Sequence, residues 1–119
     1  MEQNIKCTIE EVINMLKEKY KSEGENALYA DNDWHIYVAD DELFLGSICC
    51  ITAPPDFDEE TDEEIIPEFA IENGMDGSVL PEIFQDVIIS AMTQKSDVSN
   101  EELVEALNYY LDNDTFMSF

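Results

Sequence analysis

The chain predicts an α+β fold, a small antiparallel sheet of two to four strands packed against three to four helices, and three observations carry that prediction. Thr8-Ile9-Glu10-Glu11 and Ser99-Asn100-Glu101-Glu102 have the spacing of capping boxes, and each opens an apolar stripe at helical intervals. Between them, Trp34, Ile36 and Val38 alternate with His35 and Tyr37, the period of a strand. A nearly continuous apolar run from Leu43 to Ile51 follows and is stopped by Pro54-Pro55.

In chain order, the first box predicts a helix whose inner stripe is Ile9, Val12, Ile13, Leu16 and Tyr20. Lys17, Lys19 and Lys21 fall near its C-terminal end, where the dipole favours cations. Ser22 to Asn26 breaks the pattern, and Ala27-Leu28-Tyr29 predicts a short strand. The turn at Asp31-Asn32-Asp33 leads to the strand at Trp34 to Val38, and Asp40-Asp41-Glu42 makes the next turn. Leu43 to Ile51 reads as a central strand covered on both faces, with a bulge at Gly46.

Residues 52–64 form an acidic loop, expected to be solvated and mobile, because seven of the nine residues from Asp56 to Glu64 are acidic. Pro67 is placed as the first residue of a short helix over Glu68 to Asn73, stopped at Gly74. Leu80, Ile83, Phe84, Val87, Ile88 and Ala91 mark a longer helix with Pro81 near its start. The second box opens the last helix, whose inner stripe is Leu103, Ala106, Leu107, Tyr110 and Leu111, and the apolar tail from Phe116 to Phe119 is expected to dock. Residues 1–119 are read as one domain.

Charge is the strongest functional signal. The 119 residues include no arginine, the net charge is -24, and after Lys21 there are 25 acidic residues against one lysine, Lys95. Such a field repels phosphate and attracts cationic surfaces, so direct nucleic-acid binding is disfavoured and a basic protein partner is expected. With 45% apolar residues the chain is too hydrophobic for a disordered acidic tail. The N-terminal residues lack a secretory pattern and the longest apolar run is too short for a bilayer, so a cytoplasmic location without membrane contact is expected. Three cysteines, with Cys49 and Cys50 adjacent, do not form a disulfide framework and read as small buried hydrophobes.

The Trp-x-Ile-Tyr strand, the cysteine-containing apolar strand, the acidic loop, Pro67-Glu68-Phe69-Ala70 with Gly74, and the ending Glu105 to Tyr110 with Asn113-Asp114-Thr115-Phe116 resemble a family of small acidic bacterial domains over residues 27–117. In size and charge the chain is also similar to immunity proteins of contact-dependent inhibition and polymorphic toxin systems. That likeness implies a small protein that binds and blocks a cognate toxin, commonly a nuclease, and it transfers no residue roles.

No cofactor, metal or catalytic residue is expected. Asp56 to Glu60 begins like a calcium loop, but Thr61 stands where glycine permits the sharp turn and Pro67 where a bidentate glutamate is needed. Cys7, Cys49, Cys50 and His35 lack zinc-ligand spacing, and Cys49 and Cys50 should point to opposite faces of their strand. His35, the single histidine, has no nucleophile motif or phosphate cradle with it, and a partly exposed strand histidine is the plainer reading.

The expected function is therefore a non-enzymatic acidic immunity or inhibitor protein, monomeric or weakly dimeric, that masks the substrate-binding surface of a basic nuclease toxin. Its partner-binding residues are placed at Asp31, Asp33, Asp40, Asp41, Glu42, Asp56, Asp58, Glu59, Glu60, Asp62, Glu63 and Glu64, with Tyr109 as an aromatic anchor. The alternatives are a nucleic-acid mimic acting on a DNA- or RNA-binding protein, and a small enzyme or metal-binding regulator built on His35 and the acidic loop.

Overall fold

The computed structural model describes residues 3–39, 42–75, 77–79 and 81–118; Asp40, Asp41, Leu80 and Phe119 lie outside them. The elements are β1 (Ile5–Thr8), α1 (Ile9–Glu23), α2 (Glu25–Ala30), β2 (His35–Val38), β3 (Ile48–Thr52), β4 (Asp56–Phe57), β5 (Glu64–Ile65), α3 (Glu68–Glu72), β6 (Gly77–Val79), α4 (Pro81–Gln94) and α5 (Asn100–Asn113). Four strands pair antiparallel in the order β1-β3-β2-β6, and β4 and β5 form a separate ribbon. The fold is α+β.

Both capping boxes form. Thr8 Oγ1 accepts from the Glu11 N–H while a Glu11 carboxylate oxygen accepts from the Thr8 N–H, and Ser99 and Glu102 do the same at α5. Each box satisfies two helix-end donors, and an alanine at either cap would cost about 1 kcal/mol. The predicted stripes are the buried faces: Ile9, Val12, Ile13 and Leu16 of α1, and Leu103, Ala106 and Leu107 of α5. They pack with Phe84, Val87, Ile88 and Ala91 of α4 into one core against Cys7, Ile36, Val38, Cys49, Ile51 and Val79 of the sheet. The tail docks through Met117 on this core and through Phe116, whose ring lies 5.2 Å from that of Tyr110.

The lysines of α1 do more than meet the helix dipole. Lys17 Nζ donates to the Val98 carbonyl and to Asn100 Oδ1, both at 3.1 Å, joining α1 to the start of α5. Burial lowers the Lys17 pKa, with the neighbouring Lys21 charge adding to it.

Two strand expectations are corrected. Ala27-Leu28-Tyr29 belongs to helix α2: these residues include no β-branched side chain, and Gly24, at φ +87°, ends α1 in a conformation that lets a second helix start at once. Leu28 is then buried and Tyr29 donates to Asp86 of α4. This is the helix beyond the three to four expected. The strand expected from Leu43 begins at Ile48, because the Ser47 N–H donates to the Phe44 carbonyl and closes a turn through Leu45 and Gly46 where a bulge was expected. Leu43 is held away from the sheet by Asn108 of α5, which accepts from its N–H and donates to its carbonyl, both at 2.8 Å.

The remaining strand is central and covered on both faces, as expected. Cys49 and Ile51 face the helices. Cys50 faces the opposite way, into a small cluster with Tyr37, Ala70 and Met75, against which Ile66 and Phe69 pack. Helix α3 thus forms a partial third layer, set by Pro67 in the cap position rather than the first helical turn. β1 and β6, the sheet edges, were not foreseen; β1 ends in Thr8, which is also the cap of α1.

Trp34 is fully buried beside β2, and its indole Nε1 donates to the Asp31 carbonyl at 2.8 Å. Trp34→Ala is expected to destabilise the fold by about 3–5 kcal/mol, measured by urea unfolding; an unchanged midpoint would remove Trp34 from the core. Two ion pairs, Lys19–Asp31 and Lys95–Glu102, join described residues, so most carboxylates repel one another with only solvent and salt to screen them. Raising sodium chloride from about 0.02 to about 0.5 M should therefore raise the Tm by several degrees, and a salt-independent Tm would contradict this.

Candidate functional site

The densest charge on the molecule lies in the expected acidic loop, which carries a short two-stranded ribbon closed by a hydrogen-bonded turn. After Thr52 the chain is turned by Pro54-Pro55 and pairs Asp56 with Ile65 and Phe57 with Glu64. Asp58 builds the turn: its N–H donates to the Glu63 carbonyl at 2.9 Å, and its Oδ1 accepts from the N–H groups of Glu60 at 2.8 Å and Thr61 at 3.2 Å. These donors, Glu60 first, hold the Asp58 carboxyl below the usual carboxylate range. Asp62 takes the left-handed conformation at φ +59°, which Asp tolerates better than most residues. A run of acids can turn this tightly because one of them serves as hydrogen-bond acceptor for its neighbours' backbone.

Every residue from Asp56 to Ile65 is exposed, so the ribbon is solvated as expected. Phe57 and Ile65 are 63% and 50% exposed, and since paired residues share a face, they stand on opposite sides of the ribbon. Asp56, Glu59, Glu60, Asp62, Glu63 and Glu64 surround them, and among the described residues none of these carboxylates is in an ion pair. These two apolar side chains were missed in the sequence, although a phenylalanine inside a run of acids is itself a signal.

His35 lies at the same end of the sheet, paired with Thr52 just before the ribbon. It is half-buried, 6.3 Å from the Tyr37 ring centre, and feels the carboxylates of Glu82 and Glu64. Burial lowers its pKa against the upward pull of Glu82 and Glu64. Tyr37 is fully buried and donates to the Ala53 carbonyl at 2.7 Å; burial, then Glu64, pushes its pKa up to about 12. It is a core residue that fixes the root of the ribbon.

The other expected partner-binding residues separate. Asp33 is exposed and precedes β2, at the ribbon's end of the sheet. Asp31 is half-buried, paired with Lys19 at 3.4 Å, and its carbonyl accepts from Trp34 and Gln85, so it belongs to the scaffold rather than to a free surface. Glu42 is at the opposite end, at a cavity of about 160 Å³ lined by Val38, Ala39, Glu42, Leu43, Ser47, Ile48 and Met75, with Phe44 and Ile48 exposed in the same segment. Tyr109 is 39% exposed but sits on α5 in the helical layer, apart from the ribbon. Asp40 and Asp41 lie outside the described residues. Among the described residues, no three of His, Cys, Asp and Glu come together in a way that could hold a metal ion.

Comparison with known families decides the chain's relationship. The family model described as Domain of unknown function (DUF7716) matches residues 6–119. The chain belongs to the DUF7716 family. The match spans every element from β1 to α5, so the ribbon, the His35 end of the sheet and the helical layer are all parts of one DUF7716 domain. No curated protein and no solved structure matches it.

The His35 environment has a consequence for stability. A histidine whose folded pKa is depressed binds its proton more readily when unfolded, so its contribution is complete above the unfolded value of about 6.5 and is lost as pH falls below it. The native chain should therefore lose stability relative to His35→Gln between about pH 7.5 and about pH 5.5, measured by paired thermal unfolding. A constant difference between the two proteins over that range would contradict it.

Proposed function

We propose that this DUF7716 domain is a non-catalytic acidic inhibitor that docks a basic protein, a nuclease toxin in the most specific form of the reading, and covers the cationic surface with which that protein holds phosphate. The observation that carries the proposal is the ribbon itself: six carboxylates outside any described ion pair, borne on a hydrogen-bonded turn and flanked by exposed Phe57 and Ile65. Carboxylates steer a cationic partner over distances up to about a Debye length, and exposed apolar side chains supply the short-range contact that charge alone lacks. A nuclease must present lysine and arginine to phosphate, so the complement of its substrate site is an acidic surface with few cations of its own. No helix of the described residues is long and apolar enough to cross a membrane.

The direct test mixes the purified chain with the product of the neighbouring gene. A complex by size-exclusion chromatography together with suppressed nuclease activity is the expected result, and a product that neither binds nor is inhibited would end this reading. Within such a complex, Glu59→Gln, Glu60→Gln, Asp62→Asn and Glu63→Gln combined should slow association by about tenfold at low salt, with a smaller effect on dissociation. Asp58 is left in place because it builds the turn. Surface-plasmon kinetics at two salt concentrations make the check, and unchanged association would move the contact to the Glu42 cavity or the helical layer.

A further inference from the structure

Cys7 and Cys49 are directly opposed in the β1–β3 register, and their sulfurs are 3.8 Å apart. Both face the helical core, and Cys7, on the edge strand, retains 8% exposure while Cys49 is completely enclosed. Cys50, one residue further, is on the other side of the sheet with Tyr37 and Met75. The backbone of β3 therefore separates it from the pair. Two thiols in contact across an antiparallel register need mainly side-chain rotation to reach the S–S distance of about 2.05 Å.

We propose that Cys7 and Cys49 form a dithiol modification site whose reactant is a low-molecular-mass disulfide, and that the reaction closes a cross-strand bond between β1 and β3. The two sulfurs have different roles. The hydrogen bond with Cys49 lowers the Cys7 pKa, against burial and Glu11, while that same bond, followed by burial, pushes Cys49 up. Cys7, the more accessible sulfur, is thus also the better thiolate.

The Cys7 thiolate attacks one sulfur of the reagent, the reagent's S–S bond breaks, and the departing thiolate takes a proton. Cys49 then loses its proton to the medium and attacks the Cys7 sulfur, and the second reagent thiolate departs and is protonated. Two cysteine thiols are oxidised to one disulfide, and one reagent disulfide is reduced to two thiols. The bond would join the edge strand to the central strand one residue before Thr8, the cap of α1, and would close a chain segment containing α1, α2 and β2.

The experiment treats the full folded chain with oxidised glutathione at about pH 8, then denatures and alkylates it for intact-mass and peptide mapping. The expected product has lost about 2 Da, links the Cys7 and Cys49 peptides, carries the alkyl group on Cys50, and melts about 5 °C or more above the reduced chain. Cys50→Ala should behave identically, and Cys7→Ala should lose the reaction. Because Cys50→Ala contains only the opposed pair, it carries the test even if Cys7→Ala fails to fold. A glutathione adduct that persists without closure, a linkage through Cys50, or alkylation of all three cysteines would each overturn the proposal.

Discussion

A carboxylate without a cation cannot leave water, and this chain holds 29 acidic residues against five lysines and no arginine. That constraint orders the rest of the structure. The interior closes with uncharged side chains, mostly apolar, with Thr52 and Gln85 as buried polar residues, and acids are admitted at helix starts, turns and edges where backbone donors or solvent receive them. Glu11 and Glu102 act as capping partners, Asp58 as a turn acceptor, and three lysines, Lys17, Lys19 and Lys95, join elements, as Lys17 joins α1 to the start of α5. A few of the acids thereby also support local structure, and the ribbon gathers a dense group of those that remain uncommitted.

The sheet divides the molecule into two unequal sides. Four helices, α1, α2, α4 and α5, contribute to the main core on one face, and a single short helix with Met75 and Phe69 covers part of the other. Helix α3 is too short to cover the whole face, and the acidic ribbon stands beside it as a projection with no core of its own. The proposed binding element benefits from that arrangement: the ribbon follows β3 and is fixed at its root by Tyr37, yet its charges and its two apolar side chains are in water. Its shape is set by turn hydrogen bonds rather than by packing, so its acids can be altered with little effect on the core.

The dithiol belongs to the same logic. Cysteine is a small hydrophobe that suits a core with no room for charge, and placing one on each of two paired strands creates a reactive pair without a buried ion. The register that brings Cys7 to Cys49 also puts Cys50 on the far side, so a chain with three cysteines has a single pairing available within the fold.

Local chemistry was sufficient for much of this to be legible in the sequence. Thr8–Glu11 and Ser99–Glu102 specify helix starts because a cap is made within four residues, and the stripes after them specify the inner face because helical period is a local property. The strand alternation at Trp34, Ile36 and Val38, and the opposite facing of Cys49 and Cys50, follow in the same way from the pleat. The net charge and the density of acids in residues 56–64 were likewise fixed by composition, and with them the case for a cationic partner. Contacts between distant residues were decided by the tertiary structure alone. Asn108 draws Leu43 off the strand, Leu28 enters the core as part of a helix, and Lys19 takes Asp31 out of the candidate surface. The separation of Asp33 and the ribbon from Glu42 and Tyr109, and the meeting of Cys7 with Cys49 across 42 positions of chain, depend on strand order and register, which no local pattern of side chains encodes.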